Sequence, residues 1–538
     1  MSKRDGLSAV GACALLSSTV FALWQVPMKT YITTPIYYVN GAPHIGHAHT
    51  SVMADILKRN RVAIGYEGKL TTGCDEHGQK NQEAAAESGL SVEEYLDGRS
   101  AEFRNVFDRL SVEYDYFVRT SRPEHKQRVA EIEQRMYDAD LIVKKEYSGT
   151  YCTGCEQFKK PSDLNDDGRC PDHPTLVPEE ITEENYFLKI EPFRDALLKH
   201  IADHPDFVQP EIYKTELLKM LSEPLEDLCI SRPKRRVSLG VTMPFDDDYV
   251  TYVWFDALIN YITNINWPED EYKAWWAECE HLIGKDILKT HGVYWPIMLM
   301  AIDMAPPKRL SVHGHWVGAG GLKMSKTMGN VVDPIEVMDN LGSDALRYYL
   351  ARNARADADS QISVELITQA YNSELGNKLG NLLSRAGKFA KSRFDGKVPE
   401  RGSGAVDDAD EQLRKQVMEA CAPFAKKLDL AEIPYATQGL ITVCDHMNNY
   451  FADQAPWDLI KNEDTKERCA AVIYVTLDCL RLVFEAFSQV IPTTSAQALG
   501  MLNCTVPTGG DEAWVPGLDK LQAGGELAEI STLYPRAA

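Results

Sequence analysis

The sequence predicts an α/β fold built on a parallel sheet, followed by a region of helices alone. Three observations carry this. Ile32-Thr-Thr-Pro-Ile-Tyr-Tyr-Val39 is rich in β-branched and aromatic residues, and Asn40-Gly41 and Pro43 follow as turn and helix-start signals. Lys69-Leu-Thr-Thr-Gly-Cys74 repeats the short-strand pattern after a helical interval, in a βαβ rhythm. Beyond Met328 the alternation stops, and Asp344-Ala-Leu-Arg-Tyr-Tyr-Leu350 opens a helix-rich stretch.

The totals set outer limits. A chain of 538 residues exceeds one core, so several domains are expected. Hydrophobic content of 44% and charged content of 25% are ordinary for a globular protein. The net charge of −22 excludes coating of nucleic acid by bulk charge, while leaving room for a local basic groove. The twelve cysteines are scattered except at Cys152, Cys155 and Cys170, which predicts reduced thiols and one metal site rather than a disulfide framework.

Taken in order, the chain starts with Lys3 and Arg4 before an apolar run, Leu7 to Val26, interrupted by Ser8, Ser17, Ser18, Thr19 and Gln25. The run imitates a signal peptide or weak anchor, but a span needs about twenty predominantly apolar residues. It also lacks the repeated arginines of a mitochondrial leader. Met28 lies directly before the first strand, so the reading is of a dispensable extension over residues 1–28.

The stretch that organises the rest is Ile32 to His47. Strand, turn and Pro43 in the first turn of a helix make a place where backbone amides and the helix dipole meet an anion. His44 and His47, three apart, are expected on one helical face, and Gly46 lets a ligand approach the backbone. Two surface histidines on an ordinary helix would read the same way. A distant glycine-led loop, Gly320-Gly-Leu-Lys-Met-Ser-Lys-Thr327, decides between the two readings.

Asp75-Glu-His-Gly78 ends the second strand, where open α/β sheets bind ligands; a helix N-cap is an equal reading. Ser91 to Leu110 reads as a capped amphipathic scaffold helix. Cys152-Thr-Gly-Cys155 and Cys170-Pro-Asp-His173 supply three thiolates and an imidazole at tight-knuckle spacing, a tetrahedral zinc site with all four positions filled and hence structural. Lys159 to Gly168 between them is polar and turn-rich. Lys234, Arg235 and Arg236 read as a solvated charge run. In Tyr252-Val-Trp-Phe-Asp-Ala-Leu-Ile-Asn-Tyr261, Trp254, Ala257, Leu258 and Tyr261 form one apolar helical face, which by spacing alone favours core. Ile287 and His291, four apart, share a face; His281 reads as a satisfied structural histidine. Ser311 to Trp316 is a strand leading into the Gly318 to Gly321 loop. Lys388, Lys391 and Arg393 form a local basic stripe, and Phe394 to Asp410 reads as a loop between helices.

His44-Ile-Gly-His47 and Lys323-Met-Ser-Lys-Thr327 together resemble the two ATP-binding motifs of class I aminoacyl-tRNA synthetases. The surrounding detail resembles the methionyl-tRNA synthetases, from Lys29 to the C-terminus, thinning between Gly396 and Met447. The single Cys-x-x-His knuckle is similar to that of bacterial forms. The resemblance implies a Rossmann-like catalytic domain in two halves (29–140 and 231–327) around a zinc-containing connective insertion (141–230). It then implies a stem-contact region (328–375) and an all-α anticodon-binding domain (376–538).

The activity implied is activation of L-methionine with ATP and its transfer to tRNA(Met), initiator tRNA included. His44, His47, Lys323 and Lys326 would be catalytic, with Gly46, Ser325 and Thr327 also touching ATP. Asp75 would hold the methionine ammonium, and Arg232 would reach the ligand's negative charge while pairing with Asp75. Ile36, Tyr38, Trp254, Ala257, Leu258, Tyr261, Ile287 and His291 would complete the methionine site. Trp457 would stack on the first anticodon base, in a segment that includes Asn448. Leu258 stands where the family often has Pro, and Thr327 where it usually has Ser. The implied cofactors are one structural Zn²⁺ per chain and Mg²⁺ with ATP. A cytoplasmic monomer without membrane contact is expected. Two other readings stay open: a class I synthetase for another apolar amino acid, and an inactive tRNA-binding paralogue, the latter weakened by the intact histidines and lysines.

Overall fold

The computed structural model describes residues 28–152, 157–159, 163–171, 175–321, 324, 331–402, 406–509 and 513–537. The reading of residues 1–27 lies outside them. Strand β1 (Lys29–Tyr38) is followed by a helix, Ile45–Ala63, and by β2 (Glu67–Asp75). The expected capped helix is present as Val92–Arg109, with Ser91 as N-cap, Glu94 closing a capping box and Leu110 as C-cap. Strand β3 (Tyr116–Arg119) and the helix Pro123–Asp138 complete the first half.

The insertion is a second, antiparallel sheet. β4 (Ile142–Cys152) pairs with β5 (Gln157–Lys159) on one side and β6 (Glu179–Leu188) on the other. After a two-residue strand, β7 (Val208–Gln209), β8 (Leu228–Cys229) adds to β6. β9 (Ser231–Pro233), β10 (Thr242–Met243) and β11 (Asp246–Thr251) form a small sheet of their own. The helix Val253–Thr263 leads back to β12 (Cys279–Gly284) and β13 (Arg309–His313).

The main sheet has the order β3-β2-β1-β12-β13-β7 and is parallel throughout. Its centre, Tyr31 to Thr34, is buried, as the uninterrupted run of aromatic and β-branched residues requires of a strand covered on both faces. From β1 the chain winds to β2 and β3 on one side, and only after the insertion takes β12 and β13 on the other. The order therefore reverses between β1 and β12, and a crevice opens at their C-terminal ends. A short parallel pair, β14 (Trp316–Val317) with β15 (Ser360–Gln361), is a strand where the sequence predicted helices alone.

One core runs from the helix Ile45–Ala63 continuously into the C-terminal helices; the other packs Val253–Thr263 against the opposite side of the sheet. Arg347 joins three parts of the first. Its guanidinium is 2.7 Å from Asp55, and it donates to the carbonyls of Leu110 (3.0 Å) and Val490 (2.8 Å), with neither side chain of the ion pair exposed. The stretch beyond Leu502 returns to the first helix, where the Trp514 amide donates to Ala63 O (2.7 Å), while its indole donates to Glu485 of the C-terminal helices (3.0 Å). No helix among the described residues is long and apolar enough to cross a membrane.

Burial alone would raise the Asp55 pKa, but Arg347 and Arg59 outweigh it and hold the carboxyl below its usual value. Breaking a buried pair strands one charge, so Arg347→Met is expected to destabilise by ~3–5 kcal/mol. Urea unfolding measures this; a loss under ~1 kcal/mol would mean that the pair is no more than a surface contact in energy.

Candidate functional site

The first helix begins at Ile45, two residues later than Pro43 implied, because His44 is its N-cap. His44 is in an extended conformation, so the two imidazoles do not share a helical face. They meet by capping: Gly46 N–H donates to His44 Nδ1 (3.1 Å) and His44 N–H to His47 Nδ1 (3.2 Å), and the rings stack 3.7 Å apart. Both Nδ1 atoms are thus acceptors, which assigns the proton of each neutral ring to Nε2. Burial and the neighbouring His44 pull the His47 pKa well below the usual imidazole value, and its ring rests on Tyr37 and Phe103.

Asp75, at the end of β2, is buried and is not a cap. The next helix is capped at Gly78 without a side-chain bond. Asp75 Oδ1 accepts from His77 N–H (3.3 Å), while Asn81 Nδ2 holds the carbonyls of Asp75 and His77 (2.9 Å each). Arg232, predicted to pair with Asp75, is buried on β9. It donates to Ser231 O (2.7 Å) and Cys229 Sγ (3.2 Å) and lies over the rings of Tyr252 and Tyr151. The following charge run is not wholly solvated. Arg236 is half-buried against Tyr151 and pairs with Glu183 at 3.3 Å.

The helix Val253–Thr263 brings the aromatic residues together. Trp254 is half-buried and meets Tyr38 edge-on at 6.2 Å, with Ile36 near on β1; Ala257 is buried, and Leu258 and Tyr261 belong to the core behind. Tyr261 donates to His291 Nε2 (2.8 Å), and His291 Nδ1 to Ile287 O (3.0 Å). Ile287 ends a 3-10 turn and His291 lies in a π-helical turn, so they meet through this bond rather than on one helical face. His281 is satisfied on both nitrogens, accepting from Trp295 Nε1 (3.0 Å) and donating to Thr33 Oγ1 (2.6 Å). Burial lowers the pKa of His281 strongly and that of His291 to about 4.

After β14, Gly320 and Gly321 take φ of 75° and 79°, left-handed values that suit glycine, and Gly320 N–H is fixed by Gln361 (3.3 Å). Lys323, Ser325, Lys326 and Thr327 lie outside the described residues. So do Cys155 and His173. Of the four predicted zinc ligands, Cys152 and Cys170 are described: both are buried and belong to neither core, and among the described residues no group of three or more His, Cys, Asp or Glu is placed to hold a metal. The chain before Cys170 makes a tight turn, Asn165 Oδ1 accepting from Asp167 and Arg169. Cys152, closing β4, is paired with Gln157 of β5.

On the helices, Ala455 has φ of 39°, a left-handed value that reverses the chain before Pro456 and leaves Trp457 41% exposed against Phe451. Asn448 spends both amide hydrogens on the carbonyls of Lys378 and Cys444, so its role is partly to join helices. Lys391 of the basic stripe is engaged with the carbonyls of Leu527 and Ala528. A cavity of about 330 Å³, not foreseen, is lined by Asn377, Asn381, Ser384, Tyr534 and Arg536.

Sequence reasoning also missed a buried cluster of Asp256, His77 and His125. Its signal was a lone carboxylate inside the apolar run Tyr252 to Tyr261.

Comparison with known proteins gives two family matches. Residues 30–176 and 175–387 match the model for tRNA synthetases class I (M), and residues 398–536 that for the anticodon binding domain of methionyl tRNA ligase. Methionine–tRNA ligase of Clostridium tetani is 38% identical over 510 residues, covering 94% of this chain and 78% of the relative. That of Rickettsia felis is 34% identical, covering 94% and 98%. The solved structure of Mycobacterium tuberculosis methionyl-tRNA synthetase in complex with methionyl-adenylate superposes with a TM-score of 0.88 at 32% identity, covering 94% of this chain and all of that one.

His47, His281 and His291, all lowered by burial, are expected to be neutral at pH 7. His291 should titrate only near pH 4 in histidine-selective NMR. Its folded pKa lies below the unfolded value, so acidification from about pH 6.5 toward 4 draws protons to the unfolded chain and lowers stability. A resonance of His291 titrating near 6.5 would contradict this geometry.

Proposed function

The chain belongs to the class I methionyl-tRNA synthetases, enzymes that ligate methionine to tRNA, and we propose that its residues divide this work between the sheet edge and the helices. In the first step the methionine carboxylate attacks the α-phosphorus of ATP and pyrophosphate leaves. The nucleophile is already an anion, so no general base is needed; orientation and stabilisation of phosphoryl charge are. His44 and His47 donate from Nε2 toward the phosphates, beside the helix N-terminus. Lys323 and Lys326 close over the triphosphate with Ser325 and Thr327, and Gly46 admits ATP to the backbone. Mg²⁺ bound to ATP would supply further neutralisation of the phosphate charge. The observation that carries this reading is the convergence of His44, His47, Asp75 and Ile287 at the C-terminal ends of β1, β2 and β12, where the strand order reverses.

Asp75 pairs with the methionine ammonium. Ile36, Tyr38, Trp254, Ala257, Leu258, Tyr261, Ile287 and His291 enclose the side chain, and Arg232 reaches the ligand's negative charge. The terminal ribose of tRNA then attacks the adenylate. Trp457 stacks on an anticodon base, and the asparagine-lined cavity, joined to it through Phe451 and Arg385, offers amides to base edges. The relatives' names favour methionine over another apolar amino acid, and the intact His44 and His47 argue against an inactive paralogue. A chain that needs ATP and tRNA works in the cytoplasm, and with every proposed site residue on one chain it works as a monomer.

Three variants separate these roles. Asp75→Ala is expected to raise the methionine KM by roughly 100-fold, by leaving an ammonium unpaired in a desolvated site. Lys326→Ala should lower the adenylation rate by ~10²–10³ and leave methionine binding nearly unchanged. Trp457→Ala should spare ATP–pyrophosphate exchange and weaken only tRNA charging, by about tenfold or more. Exchange and charging kinetics side by side decide it: if all three fail at one step, the division is wrong.

Cys152, Cys155, Cys170 and His173 would hold one structural Zn²⁺, which supplies folding energy to the knuckle and takes no part in the chemistry. Metal analysis of protein purified without chelator should give one zinc per chain, and Cys155→Ser should impair tRNA charging more than exchange. Fully active protein without zinc would exclude the site.

A further inference from the structure

Asp256 has no role in the two steps above, yet it is fully buried with both carboxylate oxygens engaged. His77 Nδ1–H donates to Oδ2 (2.5 Å) and His125 Nε2–H to Oδ1 (2.7 Å). Burial alone would raise this carboxyl; the two imidazoles outweigh it and hold it well below the usual carboxylate range. A buried charge is tolerated only with such full pairing.

The three residues come from separate parts of the chain. His77 lies two residues beyond Asp75, in the loop after β2. His125 is in the first turn of Pro123–Asp138. Asp256 stands on the helix Val253–Thr263, between Trp254 and Ala257. The Asp75 carboxylate, its carbonyl and that of His77 are tied together through His77 N–H and Asn81, so this loop moves as one piece. The other ring nitrogens, His77 Nε2 and His125 Nδ1, are buried without hydrogen-bond partners among the described residues. Each ring is therefore held by its bond to Asp256, and loss of the carboxylate releases both. The loop keeps other anchors, Gly78 N–H to Leu239 O (3.0 Å) and Arg119 to Glu76 (2.6 Å), so the fold should survive such a change.

We propose that Asp256, with His77 and His125, is a positioning cluster that fixes the distance between the Asp75 carboxylate and the wall formed by Trp254 and Ala257, and thereby sets the length of amino acid accepted. This rests on the reading of Asp75 and that helix as the two ends of the methionine site. An apolar pocket distinguishes one methylene by only ~1–3 kcal/mol, so a fixed span adds selectivity that packing alone does not supply. A displacement of about 1 Å between the two ends is enough to cost catalysis heavily.

The test is ATP–pyrophosphate exchange by the full chain with methionine and with ethionine, one methylene longer. Asp256→Asn should raise the methionine KM about 10- to 100-fold, as expected for loss of charged hydrogen bonds, with kcat and the ATP KM within about threefold. It should also narrow the preference for methionine over ethionine. His77→Ala should behave likewise. His77→Asn and His125→Gln, which return an N–H near Nδ1 and Nε2 respectively, should restore the methionine KM to within about threefold. A lowered melting temperature with unchanged methionine KM, a parallel loss of ATP use, or no difference between His77→Ala and His77→Asn would overturn the proposal. Should Asp256→Asn not fold, the His77→Ala and His77→Asn variants decide the question by themselves. If Asp75→Ala itself leaves the methionine KM unchanged, the underlying site reading fails; if Asp75→Ala raises it and Asp256→Asn does not, only this inference does.

Discussion

A guanidinium and a carboxylate with no exposed surface, Arg347 and Asp55, are stable only in each other's presence, and the arrangement of the whole chain follows from where they meet. Asp55 is on the helix that follows β1, so it moves with the centre of the parallel sheet. Arg347 is on the helix Ser343–Asn353, and its remaining hydrogens go to Leu110, Gln489 and Val490. The catalytic sheet, the end of Val92–Arg109 and the C-terminal helices are thereby joined within one hydrophobic core. The joint thus ties to the sheet the helices that match an anticodon binding domain.

The joint also explains why the site can be built from weak local devices. The histidines at the end of β1 are organised by two backbone amides, and burial keeps His47 neutral. Neutral imidazoles of this tautomer keep an Nε2–H for donation without the desolvation cost of a buried cation. The aromatic wall follows the same logic: Tyr261, His291 and Ile287 form a chain of single-tautomer hydrogen bonds, and His281 is closed by Trp295 and Thr33.

Much of this was legible in the sequence because it depends on local chemistry. The run Ile32 to Val39, the Ser91–Glu94 capping box and the change after Met328 each state a structure within a few residues. What escaped depends on partners far along the chain. The helix start at Ile45 turned on an imidazole acting as a cap, which Pro43 masked. The rings of Tyr151 and Tyr252 over Arg232 are likewise neighbours that only the fold brings to the guanidinium. Asp256 was visible as an anomaly in an apolar helix, but its imidazoles lie 179 and 131 residues away. The hydrogen bonds of the Asn448 amide to Lys378 and Cys444 were equally invisible, since one partner lies 70 residues away.

The central claim is that this sheet edge activates methionine in particular. Its most direct test is ATP–pyrophosphate exchange by the full chain, measured with each of the twenty amino acids and without tRNA. Exchange stimulated by L-methionine alone is the predicted result. Comparable exchange with another apolar amino acid, or none with any, would contradict the account.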